Sequence, residues 1–176
     1  MAATDDGIAI VGLEPSCLLT LRDETLVMGL GEKAVTVSQH ALLFEEFVAR
    51  EAKAGRFSVS LKPAAKPILV HGHCHQKAFG AMPPVLEVLR MIPGAKPALI
   101  ESSCCGMAGS FGYEASHYEN SMRMAEASLL PALRAQPDAI VVADGTSCRH
   151  QIADGAQREA VHVARLLESL LVAAPT

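Results

Sequence analysis

The chain is expected to fold as an α/β domain: a mostly parallel sheet with helices on both faces and cysteine loops at the carboxyl ends of the strands. Three observations predict this. Short apolar runs alternate with longer helix-period stretches. Aromatic residues make up only 4% of the chain, so the core must be built from Ala, Leu, Val, Ile and Met, which suits helices packed on strands. The cysteines fall repeatedly just after the apolar runs.

Taken in order, the strands expected are Ile8 to Leu13, Pro67 to His71, Pro97 to Glu101 and Ala139 to Ala143, each too short for a typical helix. Helical spacing is read over Leu18 to Met28, Gln39 to Lys53, Met82 to Met91, Glu114 to Leu133 and Val161 to Val172. Helical stretches between strands imply βαβ units and a parallel sheet. Ser38 is the expected cap of the second helix, and Pro83 and Pro84 fit the opening of the third, where a missing amide donor costs little. Residues 55–67 read as a connecting loop, with a short strand expected at Phe57 to Leu61.

A length of 176 residues is enough for one domain with a proper core, and half the residues are hydrophobic. The formal charge of −4 comes without a basic block, which argues against nucleic acid or a membrane surface as partner. No apolar run is long enough to span a bilayer, and the opening MAATDDG lacks the order of a signal peptide, so a cytoplasmic protein is expected, membrane-associated at most through a parent complex. Five cysteines, an odd number in a chain able to stabilise itself by burial, do not read as a disulfide framework. Metal binding or catalysis is the better account.

Cys17 follows the first strand, Cys74 the second, Cys104 and Cys105 the third, and Cys148 the fourth. The carboxyl ends of parallel strands share one edge, where ligands usually bind, so cysteines far apart in sequence are expected to meet there. In HGHCHQKA, residues 71–78, Cys74 lies between His73 and His75. Thiolate and imidazole are ligands for zinc and iron, and a flanking histidine can instead orient a ligand. For any one of these histidines a bond to backbone or solvent is the plainer expectation.

In SSCCGMAGSFGYE, residues 102–114, adjacent thiolates are ill placed to chelate one small ion, yet they can contact neighbouring metals in a cluster; alternatively one ligates and the other packs. Gly106, Gly109 and Gly112 give the backbone freedom for a tight turn before a helix whose amino end favours negative charge. The spacing is neither a P-loop nor GxGxxG. In DGTSCRHQI, residues 144–152, Cys148 and His150 are placed so that one ligates while the other orients or completes the site. His40, His117 and His162 stand away from the cysteines and read as ordinary helix residues.

There is also an internal echo. GLEPSC at residues 12–17 and GTSC at residues 145–148 both follow a strand and lead into a helix. Residues 1–32 are therefore expected to be the end of a preceding repeat, and 33–172 a complete second copy, as in a fragment of a longer protein.

Together, HCHQKA, SSCCGMAGSFGYE and GTSCRHQI resemble the cysteine-rich CCG domain family. That family appears, usually in two copies, in a cysteine-rich component of heterodisulfide reductase and in iron–sulfur subunits of glycolate and glycerol-3-phosphate dehydrogenases. It also forms the C-terminal part of fused flavin and iron–sulfur dehydrogenases acting on D-lactate and related 2-hydroxy acids. The family pattern is a lone cysteine, then CCG, then CxxC. Cys74, Cys104, Cys105 and Cys148 match its first four cysteines, and Cys17 corresponds to a late cysteine of the preceding copy. Gln151 stands where the last cysteine would be, beside His150.

The resemblance implies a metal module of a flavin-dependent 2-hydroxy acid oxidoreductase, passing electrons or completing the substrate site. Its metal set would be Cys74, Cys104, Cys105 and Cys148, with Cys17, His150 and His73 as further candidates. The cofactor would be an iron–sulfur cluster or a mononuclear zinc or iron site, with FAD and a ferredoxin-like segment in upstream domains of the parent chain. Alone, the chain would be inactive on 2-hydroxy acids. Two other readings compete: a structural zinc or docking module without redox role, and thiol catalysis by Cys104 or Cys105, which leaves the other cysteines unexplained.

Overall fold

The computed structural model describes residues 7–172, so residues 1–6 of the first expected repeat lie outside the described residues. The chain divides into two compact units, with the boundary between Phe57 and Ser58.

In the first unit, strand β1 (Ile10–Gly12) is followed by helices α1 (Pro15–Thr20), α2 (Glu24–Val27) and α3 (Glu32–His40), strand β2 (Ala41–Leu43) and helix α4 (Phe44–Lys53). β1 and β2 pair in parallel, Ile10 opposite Ala41, with α1 to α3 forming the crossover that parallel pairing requires. The expected helix over Gln39 to Lys53 is thus corrected: Gln39 and His40 end α3 and Ala41–Leu43 is strand, because Ala41 and Leu43 bury against β1. The new helix starts at Phe44, where the Glu46 carboxylate accepts the Leu43 N–H at 2.9 Å. Ser38 lies inside α3 and caps nothing. The single helix expected over Leu18 to Met28 is two short ones. Arg22, in the break between them, donates to both Glu46 oxygens at 2.7 and 2.9 Å.

The second unit has four parallel strands in the order β4-β3-β5-β6: β3 (Ile68–Val70), β4 (Ala98–Leu99), β5 (Ile140–Val142) and β6 (Ala160–Val161). Helices α5 (Cys74–Ala78) and α6 (Met82–Leu89) lie between β3 and β4, α7 (Tyr118–Glu126) and α8 (Leu129–Ala135) between β4 and β5, α9 (Thr146–Ala156) between β5 and β6, and α10 (Val163–Leu170) follows β6. The α/β class with parallel strands is as expected.

Pro83 and Pro84 open α6, where the missing donor has no intrahelical partner to lose. The helix expected over Glu114 to Leu133 is two 3-10 turns (Phe111–Tyr113 and Ala115–His117) followed by α7 and α8. The interruption between α7 and α8 precedes Leu129, Leu130 and Leu133, all fully buried. The expected last helix loses its first residue to β6, and His162 caps α10 by accepting the Ala164 N–H on Nδ1 at 3.0 Å. No strand forms at Phe57 to Leu61; Leu61 makes an isolated antiparallel bridge with Leu171.

The core of this unit joins Leu69, Ile100, Val141 and Ile152 to Leu129, Leu130 and Leu133, and it includes the thiols Cys105 and Cys148. These two cysteines pack as small apolar side chains at one end of the sheet.

Candidate metal centre

The parallel register sends three loops to the same edge of the sheet. β3 runs through His71 and Gly72 to Cys74, β4 leads to Cys104 and Cys105, and β5 leads through Asp144 to Cys148. β3 lies between the other two, so it brings four cysteines that span 75 positions in sequence (148 − 74 + 1) to one place. All are free thiols, Cys105 and Cys148 buried, Cys74 and Cys104 half-buried.

The four sulfurs form a continuous chain of contacts, Cys74 to Cys104 to Cys105 to Cys148. Protons divide unequally along it. The thiols of Cys105 and Cys74 donate to Cys104, and the Gly106 N–H adds a bond to its Sγ at 3.2 Å, so Cys104 is held far below the usual thiol range. Cys148 is held at about 5, first by the Cys105 thiol and then by the imidazole of His71 beside it. Its place in the first turn of α9 adds exposed backbone donors. Cys105, contacting Cys104 and Cys148, and Cys74, contacting Cys104, are pushed up in turn, with burial adding to both. The four thiols thus differ in acidity, Cys104 and Cys148 being shifted down and Cys74 and Cys105 up. Such a set readily gives up its protons to a cation.

His71 closes β3 and is almost wholly buried, 1% exposed, with its N–H donating to Val142 O at 2.8 Å. Its ring Nδ1 lies 3.0 Å from Ser102 Oγ, whereas Nε2 is buried with no partner in hydrogen-bond geometry among the described residues. One ligand atom each of His71, Cys105 and Cys148 lies within 4.8 Å of the others. This grouping of a buried imidazole, which also lowers the Cys148 pKa, with two buried thiols needs a reason. A bound cation supplies one, and the donor set, soft sulfurs with an imidazole, suits zinc, iron or an iron–sulfur cluster.

The loops are tied to one another by polar contacts. The Gln76 side chain accepts the His73 N–H at 3.0 Å and donates to Asp144 Oδ2 at 2.8 Å, joining the loop of Cys74 to that of Cys148. The other Asp144 oxygen accepts the Val163 N–H at 3.1 Å and lies 3.5 Å from His162 Nε2. Lys77 Nζ donates to Ser103 O at 2.8 Å and also to Ser102 O, pinning the turn into the cysteine pair from α5. Burial lowers the Lys77 pKa, and the nearby thiols act against that. Arg149 does the equivalent for the β5 loop, donating to Ala143 O at 3.0 Å and to Asp144 O.

Gly106 and Gly145 are the glycines in these loops where an added Cβ would meet its neighbours most closely. Gly106 has φ +96°, and a Cβ there would lie 2.1 Å from Ser121 O. A Cβ at Gly145 would lie 2.4 Å from His73 Cδ2, so the β5 loop passes against the His73 ring.

The other candidates lie as follows. His73 is buried and caps α5, its Nδ1 accepting the His75 N–H at 3.2 Å and lying 3.9 Å from Cys74 Sγ. His150 is exposed, its Nδ1 2.7 Å from the Tyr113 hydroxyl; two residues from Cys148 on a helix, it faces away from that buried thiol. Cys17 is exposed on α1 of the first unit. Gln151 is buried, and its Nε2 donates to Ser121 O at 3.1 Å and Ser121 Oγ at 3.0 Å, which fastens α9 to α7. Residues that sequence reasoning passed over are His71, Gln76, Lys77 and Asp144. His71 left one signal: it ends an apolar run that must be buried, so its ring must be buried too.

Comparison with known proteins finds a family match in this region. Residues 68–153 match the CCG cysteine-rich domain model, a span holding all four clustered cysteines. Over 166 residues the chain is 29% identical to a component of the anaerobic glycerol-3-phosphate dehydrogenase of Escherichia coli (strain K12), covering 94% of this chain and 41% of that one. It is 31% identical over 147 residues to the D-2-hydroxyglutarate dehydrogenase of the same organism, covering 83% of this chain and 14% of that one. With the D-2-hydroxyglutarate dehydrogenase of Pseudomonas putida the identity is 30% over 164 residues, 92% of this chain and 15% of the relative. The chain therefore spans less than half the length of these relatives. Among the described residues no helix is long and apolar enough to cross a membrane. The match to the CCG cysteine-rich domain family thus lies in residues 68–153, the part of the chain that carries the clustered cysteines.

Proposed function

We propose that Cys74, Cys104, Cys105 and Cys148 hold an iron–sulfur cluster or a single zinc or iron ion, and that the chain is the metal module of a longer flavin-dependent oxidoreductase. The observation that carries this reading is the convergence of four free thiols from three adjacent parallel strand ends at one edge of the sheet, Cys105 and Cys148 of them buried. The relatives are dehydrogenases of a 2-hydroxy acid and of a polyol phosphate, which supports a small hydroxylated substrate, of 2-hydroxy acid type, oxidised by FAD in an upstream domain. When bound, an iron–sulfur group would accept electrons one at a time, and this unit would pass them onward or complete the substrate site. The chain's own residues hold the sulfurs together and exclude water from Cys105 and Cys148. His150 and Cys17, both exposed, stand outside the proposed set, and His73 serves it by capping the helix of Cys74.

The repeat reading belongs to the same proposal, with residues 1–32 as the end of a preceding CCG-like copy and 33–172 as a complete one. Its support is that β1 and Cys17 repeat the order of strand, turn and cysteine seen at β5 and Cys148.

The test is anaerobic purification of the full chain and reconstitution with iron and sulfide, or with zinc, followed by metal analysis and electronic spectra. Stoichiometric loading with sulfur-to-metal charge-transfer bands is expected with iron. A wild-type chain that stays metal-free under both treatments overturns the proposal. Inactivity of the loaded chain on 2-hydroxy acids is expected, because hydride removal belongs to a flavin in an upstream domain.

A further inference from the structure

The arrangement of β3 places an imidazole, and not only sulfur, at the centre. His71 is 1% exposed, its Nε2 has no partner in hydrogen-bond geometry among the described residues, and one of its ring nitrogens lies in a group of ligand atoms with Cys105 and Cys148 Sγ, all within 4.8 Å of one another. The other ring nitrogen is engaged, 3.0 Å from Ser102 Oγ. A metal-bound histidine characteristically donates its second N–H to an outer partner, which fixes the tautomer and the ring plane. Ser102 is such a partner: in the metal-loaded protein Nδ1–H would donate to Oγ and leave the Nε2 lone pair for the metal, in place of the interaction that lowers the Cys148 pKa.

The neighbouring polar residues have other work. Gln151 directs its amide at Ser121, His73 Nδ1 caps α5, and His150 is exposed beside Tyr113. From these observations we infer that His71 is a metal ligand through Nε2, joining Cys105 and Cys148 at the buried end of the cysteine cluster, with Ser102 orienting its ring. This rests on the metal-binding reading proposed above and deepens it. The mixed sulfur and imidazole shell is a property of the strand itself: His71 N–H is held by Val142 O at 2.8 Å, so the ring is placed by the β3–β5 ladder and not by a loop.

X-ray absorption fine structure at the metal edge, on the anaerobically loaded full chain, reads this directly. The wild type is expected to show a sulfur shell together with the multiple scattering of an imidazole. His71→Gln is expected to lose the imidazole signature and to release metal to a chelator at least about tenfold faster. The signature is expected to survive in His73→Asn and in His150→Asn; its loss in either of those, with His71→Gln unchanged, overturns the assignment. So does a loaded wild type with sulfur scattering alone. Where His71→Gln fails to fold by circular dichroism, Ser102→Ala decides: the ring is kept but released, and metal retention is expected to fall roughly 10–100-fold. Unchanged retention in Ser102→Ala would then count against His71. A wild type that loads neither iron nor zinc is a different result, because it removes the metal-binding proposal itself.

Discussion

The two units follow the same local grammar and reach different ends. In the first, β1 leads through a short turn to Cys17 on α1, which is exposed. In the second, β5 leads through a short turn to Cys148 on α9, which is 1% exposed and in contact with another thiol. The turn and the cysteine are alike; the neighbouring strands are not. β5 lies beside β3, itself beside β4, and each of those also ends in a cysteine-bearing loop. Among the described residues β1 pairs only with β2, and β2 runs directly into α4 with no cysteine. A cysteine after a strand is therefore a site only when parallel neighbours bring further donors to the same edge.

The largest effect expected from breaking this contrast is at Cys148. Cys148→Ser puts a hydroxyl where a thiol packs among Val141, Ile152 and Cys105, and it removes one of the four sulfurs of the set. Metal content after reconstitution is expected to fall to background. The metal-free protein should also lose roughly 1–3 kcal/mol in urea unfolding, from the buried hydroxyl. Full loading of Cys148→Ser would show that the metal is held elsewhere.

Next is the turn that presents the cysteine pair. Gly106→Ala would force a Cβ to 2.1 Å from Ser121 O at φ +96°, so α7 must move or the turn must change. A loss of about 3 kcal/mol or more is expected, since backbone strain of order 1–3 kcal/mol adds to the clash. Gly109→Ala is the control. It has a similar positive φ of +68° but nothing within 4 Å, and it should cost only about 1 kcal/mol. Equal costs at the two positions would mean that the close approach to Ser121 does not hold the turn.

Asp144→Asn should cost somewhat less, about 1–2 kcal/mol. Asparagine keeps one acceptor for the Val163 N–H but presents an amide or a single oxygen to Gln76 Nε2, so one buried bond is spoiled. The expected signature is specific to the site: slower metal loading and a shifted charge-transfer spectrum, as the loops of Cys74 and Cys148 lose their link. A destabilised protein with an unaltered spectrum would make the link purely structural.

What sequence could show of this follows the same contrast. The four strands read from apolar runs are present, because a buried parallel strand is apolar on both faces and leaves an unambiguous trace at Ile68–Val70 and Ile140–Val142. β2 was hidden because Ala41–Leu43 continues a helical spacing, and only pairing with β1 makes it a strand. The cysteine cluster was legible because it depends on order along the chain and on parallel topology. The histidines were harder. His73, His75 and His150 stand next to cysteines in sequence, but adjacency on a helix or turn sends side chains in different directions, as His150 and Cys148 show. His71 is three residues from Cys74 and directly follows the strand, its backbone held by Val142 O, and its importance appears only with Ser102, thirty-one positions away.

The smallest effect is expected at Cys17, and it bears most directly on the comparison. The thiol is exposed on a six-residue helix, so Cys17→Ser removes no core packing and should change stability by no more than about 0.5 kcal/mol. Metal content of the full chain should equal that of the wild type. Cys17 should also be the thiol most rapidly alkylated in the loaded protein, since Cys105 and Cys148 are buried and all four clustered thiols would be held by metal. A loss of metal in Cys17→Ser would mean that exposure on its own unit is a poor guide, and that the cysteine after β1 contributes to the centre as the one after β5 does. Retention of metal would place the requirement where the topology does, in three adjacent parallel strands ending at one edge.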